Sequence, residues 1–212
     1  MKILLTGFDQ FGGARTNSSY EAVRAVTAPE GVELIKMKVP TVFGTSLEIV
    51  RRTARAAKPD AVLMTGQAGG SVRIAVERTA INLEDAPFPD NDGKQPTDMP
   101  VFKNAPAAFF STLPVKQIAD AIRAAGIPAG ISDSAGTFVC NHSFYGLMHF
   151  LSGEGNVRRG GFIHIPYLTE QADRLEGHFG LPLQTIALGI EVAVLAALAI
   201  REDIREGGGK LH

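Results

Sequence analysis

Short apolar runs alternate with helical stretches along most of this chain, and that alternation limits the folds open to it. Residues Lys2–Phe8, Val32–Val39, Ala61–Thr65, Val72–Val76, Thr79–Leu83, Ala129–Ser132 and Gly161–Ile165 read as strands. The first is almost continuously apolar, as a strand covered on both faces is. Helical spacing fills the gaps over Ser19–Val26, Leu47–Ala57, Leu113–Ala125 and Phe138–Leu151. Asn17 and Ser18 are placed to cap the first of these helices, and Gly126 ends the third. A last helix is expected from about Leu183 to about Arg205. Strands alternating with helices imply a mostly parallel sheet with helices on both faces.

The 212 residues suit one domain over 1–212, with 206–212 expected to form a flexible tail. Hydrophobic residues make up 45% of the chain, enough for a sizeable core and too many for a disordered one. A net charge of −1 gives no whole-protein field that would recruit nucleic acid or an anionic membrane. The single cysteine has no internal disulfide partner, which suits a reducing compartment, and the expected location is the cytoplasm. The apolar run after Met1 stops at Gly7, too early for a signal peptide. Leu183–Ile200 is the longest apolar stretch. Its Gln184, Thr185 and Glu191 mark it as a buried or subunit-packing helix rather than a membrane span. Residues Asp85 to Pro106 are rich in Pro, Asp, Asn and Gly and read as a long irregular segment, a candidate binding loop or lid.

In parallel sheets ligands bind beyond the carboxyl ends of the strands, so polar residues there are the candidates. The loops Gly7–Gly13 and Gly66–Gly70 lack phosphate-loop and dinucleotide spacing. Phe8 and Phe11 are aromatics in or beside the first loop, where a wall for a small apolar ligand is one use for them. Cys140 follows a short strand and a turn at Ala135-Gly136, at the start of a helix. There the helix dipole and free amides favour a thiolate and could hold an oxyanion; the alternative is an inert core cysteine. A cysteine nucleophile needs a base, and the base needs an orienting partner. His142 is two residues from Cys140 and faces away on a helix; His149 lies more than two turns on; His178 and His212 lie in polar or terminal sequence. His164, at the end of an apolar strand, is either a satisfied core residue or the base. Glu77 interrupts an apolar run, which is costly unless it is paired. It is the candidate orienter, with a salt bridge to Arg73 or Arg78 as the other use for it. Cys140 and His142 alone have no recognisable metal-ligand spacing.

These segments together resemble the pyroglutamyl peptidase type I family. The resemblance runs over nearly the whole chain, through Leu5–Gly13 with Asn17, Gly66–Gly70, Glu77–Asn82, Pro89–Gly93, Phe110–Pro114, Ser132–Gly136 with Cys140-Asn141, and Gly161–Tyr167 with Glu170-Gln171. It implies a three-layer α/β/α phosphorylase/hydrolase-like fold and a thiol protease with Glu77, Cys140 and His164 as its triad. It implies peptides with an N-terminal pyroglutamate as substrates, with Phe8, Phe11, Asn17, Gln67 and Phe138 as substrate-binding residues. It implies no metal or organic cofactor, and a homotetramer. Three positions depart from the family's usual pattern: Ser71 and Pro87 each stand where arginine is usual, with Arg73 near the first, and Gln10 stands where proline is usual. Two other functions use similar folds. A nucleoside phosphorylase or nucleosidase would need phosphate or ribose contacts that the sequence does not display. A non-catalytic relative would bind capped peptide ends without turnover.

Overall fold

The computed structural model describes residues 1–153, 157 and 159–207. In chain order its elements are β1 (Lys2–Phe8), α1 (Ser18–Ala25), β2 (Glu33–Val39), α2 (Thr45–Ala57), β3 (Ala61–Gln67), β4 (Ile74–Glu77), β5 (Thr79–Ile81) and β6 (Ala108–Phe110). Then follow α3 (Val115–Ala124), β7 (Ala129–Ser132), α4 (Val139–Gly153), β8 (Gly160–Ile165), β9 (Tyr167–Leu168), α5 (Thr169–Ala172), β10 (Gly180–Leu181) and α6 (Leu183–Ala199). The central sheet has the order β2-β1-β3-β8-β4-β7. Its pairings are parallel except β4 against β8, which is antiparallel, with Ala75 opposite His164 and Glu77 opposite Phe162.

Side chains alternate across each strand, and this sorts the core into two layers. Ile3 and Leu5 of β1, Leu63 of β3, Ile74 and Val76 of β4, and Ile163 and Ile165 of β8 pack with α1, α3 and α6. Leu4, Val62, Met64 and Phe162 point the other way and pack with α2 and α4. The result is the expected three-layer α/β/α sandwich with a mostly parallel sheet. By the same alternation, His164 and Glu77 both face the α4 layer.

Asn17 caps α1, its side chain accepting from the Ser19 amide at 3.0 Å. α6 ends at Ala199, short of the expected Arg205, because Ile200 turns extended. The chain beyond it returns to α3, whose N-cap residue, Pro114, offers no side-chain hydrogen bond. There the Asp203 carboxylate accepts from the Lys116 and Gln117 amides, supplying the missing cap from a distant segment. The expected tail at 206–212 lies partly outside the described residues; Glu206 and Gly207 belong to no element. No helix of the described residues is long and apolar enough to cross a membrane.

The irregular segment after β5 holds one isolated bridge, Glu84 to Met99, and is tied down by side chains bonding to backbone. Asp90 accepts from the amides of Phe43, Asp92 and Lys94. Asn91 donates to the Gln10 carbonyl, and Asn82 both donates to and accepts from the backbone of Phe102. These bonds hold the segment that packs Phe88 on Phe11 and Phe138.

Candidate active site

A cavity of about 440 Å³ opens over the α4 face of the sheet. It is lined by Phe11, Gln67, Ala68, Ser71, Arg73, Ala75, Glu77, Ser132, Ser134, Ala135, Gly136, Phe138, Cys140 and His164.

Cys140 is the second residue of α4, and the His142 amide bonds back to the Phe138 carbonyl. At that position a helix leaves the backbone N–H without an acceptor inside the helix. Asn141, next along, is fully buried; it accepts from the Ile81 amide and donates to the carbonyls of Ile81 and Leu83, clamping the first turn of α4 to β5. The thiol is half-buried and sits against Gly66 of β3. A methyl group on Gly66 would come within 2.8 Å of the Cys140 Sγ and 2.7 Å of the Phe162 ring, so only glycine leaves the sulfur its place.

His164 is 8% exposed, and its Nδ1 lies 2.8 Å from the Oε1 of Glu77, itself 1% exposed. The imidazole also interacts with the Cys140 side chain, with which it lines the cavity, and the Phe162 ring packs on it at 4.8 Å between centroids. Burial by itself pushes the imidazole down. Hydrogen bonds to Cys140 and Glu77, together with the charges of both, outweigh it and raise the group to about 10. The Oε2 of Glu77 is buried with no hydrogen-bond partner among the described residues. A buried carboxylate so sparsely partnered calls for a positive charge beside it, and imidazolium is the group in place to supply one. Arg78, one of the two arginines considered from sequence, pairs instead with Asp133.

Gln67, at the end of β3, is held in one orientation. Its Oε1 accepts from the Ser18 amide at 2.9 Å and from Gln171 Nε2 at 3.0 Å. Gln171 is fixed in turn by the Thr16 carbonyl and the Leu168 amide. With its oxygen occupied, Gln67 has its N–H groups to offer to the cavity. Phe11 and Phe138 stand at 6.1 Å, and Phe88 joins them, stacked on Phe11 at 6.2 Å and tilted on Phe138 at 5.0 Å.

The structure therefore brings together Cys140, His164, Glu77, Phe11, Gln67 and Phe138. It does not bring Phe8 or Asn17 to the cavity. Phe8 is a core side chain, 1% exposed, packed behind Phe162. Asn17 spends its polar atoms on Ser19 and on the Asp9 carbonyl. Phe88, Arg73 and the pair Ser132 and Ser134 are additional, and Gln171 acts from behind Gln67. Phe88 and Arg73 had a weak signal: an aromatic in an irregular segment and a charge inside the strand-like run Val72–Val76, which in the structure begins only at Ile74. The other described histidines lie elsewhere. His142 accepts from the Gly44 amide through Nε2 at 2.9 Å, so its Nδ1 carries hydrogen toward Glu84, a staple between α4 and α2. His149 packs on Phe102, and His178 on Tyr167. His212 lies outside the described residues. Among the described residues no group of three or more His, Cys, Asp or Glu side chains is arranged to hold a metal ion.

The sequence profile of pyroglutamyl peptidase matches residues 1–200. The chain belongs to the pyroglutamyl peptidase family. It is 50% identical to the pyrrolidone-carboxylate peptidase of Erwinia tasmaniensis over 100% of this chain and 99% of that one. It is 47% identical to pyrrolidone-carboxylate peptidase 1 of Ralstonia nicotianae over 99% of each. Among solved structures it is similar to pyroglutamyl peptidase I from Bacillus amyloliquefaciens. That match has a TM-score of 0.93 and 45% identity, and it covers 97% of this chain and 99% of that one. As a pyroglutamyl peptidase family member the chain is a hydrolase, in line with the resemblance noted from its motifs.

Proposed function

We propose that this chain is a cysteine peptidase that removes the N-terminal pyroglutamyl residue from peptides, with Cys140 as nucleophile, His164 as acid and base, and Glu77 as the group that orients His164. The observation that carries this reading is the His164 imidazole beside the Glu77 carboxylate and on the same cavity as the one thiol. Nδ1 of His164 is committed to Glu77, so Nε2 serves Cys140. The thiolate attacks the carbonyl that joins pyroglutamate to the next residue. The backbone N–H of Cys140 supports the oxyanion. As the C–N bond breaks, the proton on Nε2 passes to the leaving amine, and a thioester remains on the sulfur. Water then gives a proton to His164 and attacks the thioester, releasing pyroglutamate and the thiolate.

Pyroglutamate is a flat neutral lactam. Phe11 and Phe138 supply apolar walls, backed by Phe88, and the Gln67 N–H is set to donate to the lactam carbonyl. A free N-terminal glutamate or proline would carry an ammonium into the same walls, which costs solvation with nothing to replace it. The expected result is release from a pyroglutamyl amide of a fluorescent amine at least about 100-fold faster than from the glutamyl and prolyl amides. Equal rates for the prolyl and pyroglutamyl amides would rule out this pocket chemistry. Binding of the pyroglutamyl amide without release would rule out the peptidase.

We further propose one catalytic domain, a cytoplasmic location and a homotetramer. The support for assembly is on α6, where Leu188 and Leu195, two turns apart, are 45% and 48% exposed. Light scattering is expected to give a mass four times that of the chain, falling in a Leu188→Glu, Leu195→Glu double variant. A wild-type monomer would remove the proposal.

A further inference from the structure

We infer that Arg73 recognises a carboxylate on the residue that follows pyroglutamate, so that the enzyme favours substrates with an acidic side chain or a free carboxyl terminus there. The inference rests on the pyroglutamyl peptidase reading and adds what lies on the leaving side of the scissile bond.

The cavity has two ends. Gln67 marks one, at the tip of β3; Arg73 marks the other, toward the edge strand β7. His164 of β8 and the thiol lie between them. In pyroglutamate the lactam carbonyl and the peptide carbonyl sit on the two carbons flanking the ring nitrogen and point away from each other. A ring whose lactam oxygen is held by Gln67 therefore sends its peptide chain toward Arg73, Ser132 and Ser134.

Arg73 is built for that end. It falls on the same face of its strand as Ala75 and Glu77, because Ile74 and Val76 fill the opposite layer. Its guanidinium lies flat across Gly130 of β7, where a methyl group would come within 2.7 Å of its Cζ and Nη1. Ser71 fixes the backbone beneath it, accepting from the Arg73 amide and donating to the Arg73 carbonyl. The guanidinium makes no ion pair or side-chain hydrogen bond among the described residues. Glu77, the acid that lines the same cavity, is engaged by His164, and Asp133, which follows β7, by Arg78. A fork of donors left unpaired beside the leaving group matches a planar carboxylate.

The test compares kcat/KM for pyroglutamyl-alanine against pyroglutamyl-alanine amide, and for pyroglutamyl-glutamate with only its α-carboxyl amidated against pyroglutamyl-glutamine amide. The first pair probes a terminal carboxylate and the second a side-chain carboxylate. In the wild type at low salt at least one ratio is expected to favour the acid by about 3- to 10-fold, shrinking as salt is raised. In Arg73→Gln that ratio falls to about one, and in Arg73→Lys part of it returns. A merely structural role for Arg73 would lower both members of each pair alike and leave the ratios unchanged, which overturns the proposal. Wild-type ratios near one, with the neutral amides turned over, overturn it and leave the peptidase reading standing. No turnover of any pyroglutamyl amide overturns both.

Discussion

Cys140→Ala is expected to lower kcat/KM on a pyroglutamyl amide by at least about a thousandfold, and His164→Ala by a similar factor. The thiol supplies the bond-forming atom and the imidazole supplies and removes the proton, so neither has a substitute in the cavity. Because the two act as one unit, the double variant is expected to be little worse than either single one. The fold should survive Cys140→Ala, since the side chain is small and half-buried. Circular dichroism and a thermal melt check that separately from the kinetics. A chemical probe reaches the same conclusion without substrate: iodoacetamide should modify Cys140 faster than a free thiol at neutral pH, and more slowly in His164→Ala. An unreactive thiol, or turnover retained in either variant, would sink the assignment.

Glu77→Gln is expected to lower kcat by about a hundredfold to ten-thousandfold while leaving KM much less changed. The glutamine can still accept from Nδ1, so ring position is largely kept and the loss is mainly charge. The pH profile makes the test specific. In the wild type the imidazole is held at about 10 against an ordinary value of 6.5. It is therefore protonated in the folded enzyme across the range between these two values, where the unfolded chain has lost that proton. Its contribution to stability is present in full below about 6.5 and is lost as pH rises through about 10. The alkaline limb of kcat/KM, which reports loss of the imidazolium, should move to lower pH in Glu77→Gln, because one of the influences that raise the group is gone. An unmoved limb would mean that Glu77 is not the partner that matters.

Much of this arrangement was legible because its signals are local. β1 and β7 fall on the residues where apolar runs place them, and Cys140 reads as the opening of a helix from the turn at Ala135-Gly136 before it. His164 stands out as a polar residue ending an apolar strand. What stayed hidden depends on contacts between distant segments. The reversal of β4 against β8 leaves no mark on four residues of sequence, since a strand reads alike in either direction. β9, α5 and β10 are too short for any periodicity. Phe8 ends a strand next to a loop, and only the packing of Phe162 shows that it turns inward. Asn17 has the right chemistry to touch a ligand or to cap a helix, and the choice is made by where the amides of α1 lie. The end of α6 was overestimated because residues 200–205 do not break a helix by composition; Asp203 is drawn off by the uncapped start of α3.

β4 carries both halves of the proposed chemistry on one pleat: Glu77 behind the imidazole, and Arg73 just before the strand begins, where the leaving residue would sit. A slip of one residue against β8 would swing both out of the cavity together and drive Ile74 and Val76 into it. Proton transfer and selection of the downstream residue are thus mechanically yoked. Point changes in Arg73 can retune what is cleaved, but an inserted or deleted residue in this strand would silence the enzyme before it could alter its taste.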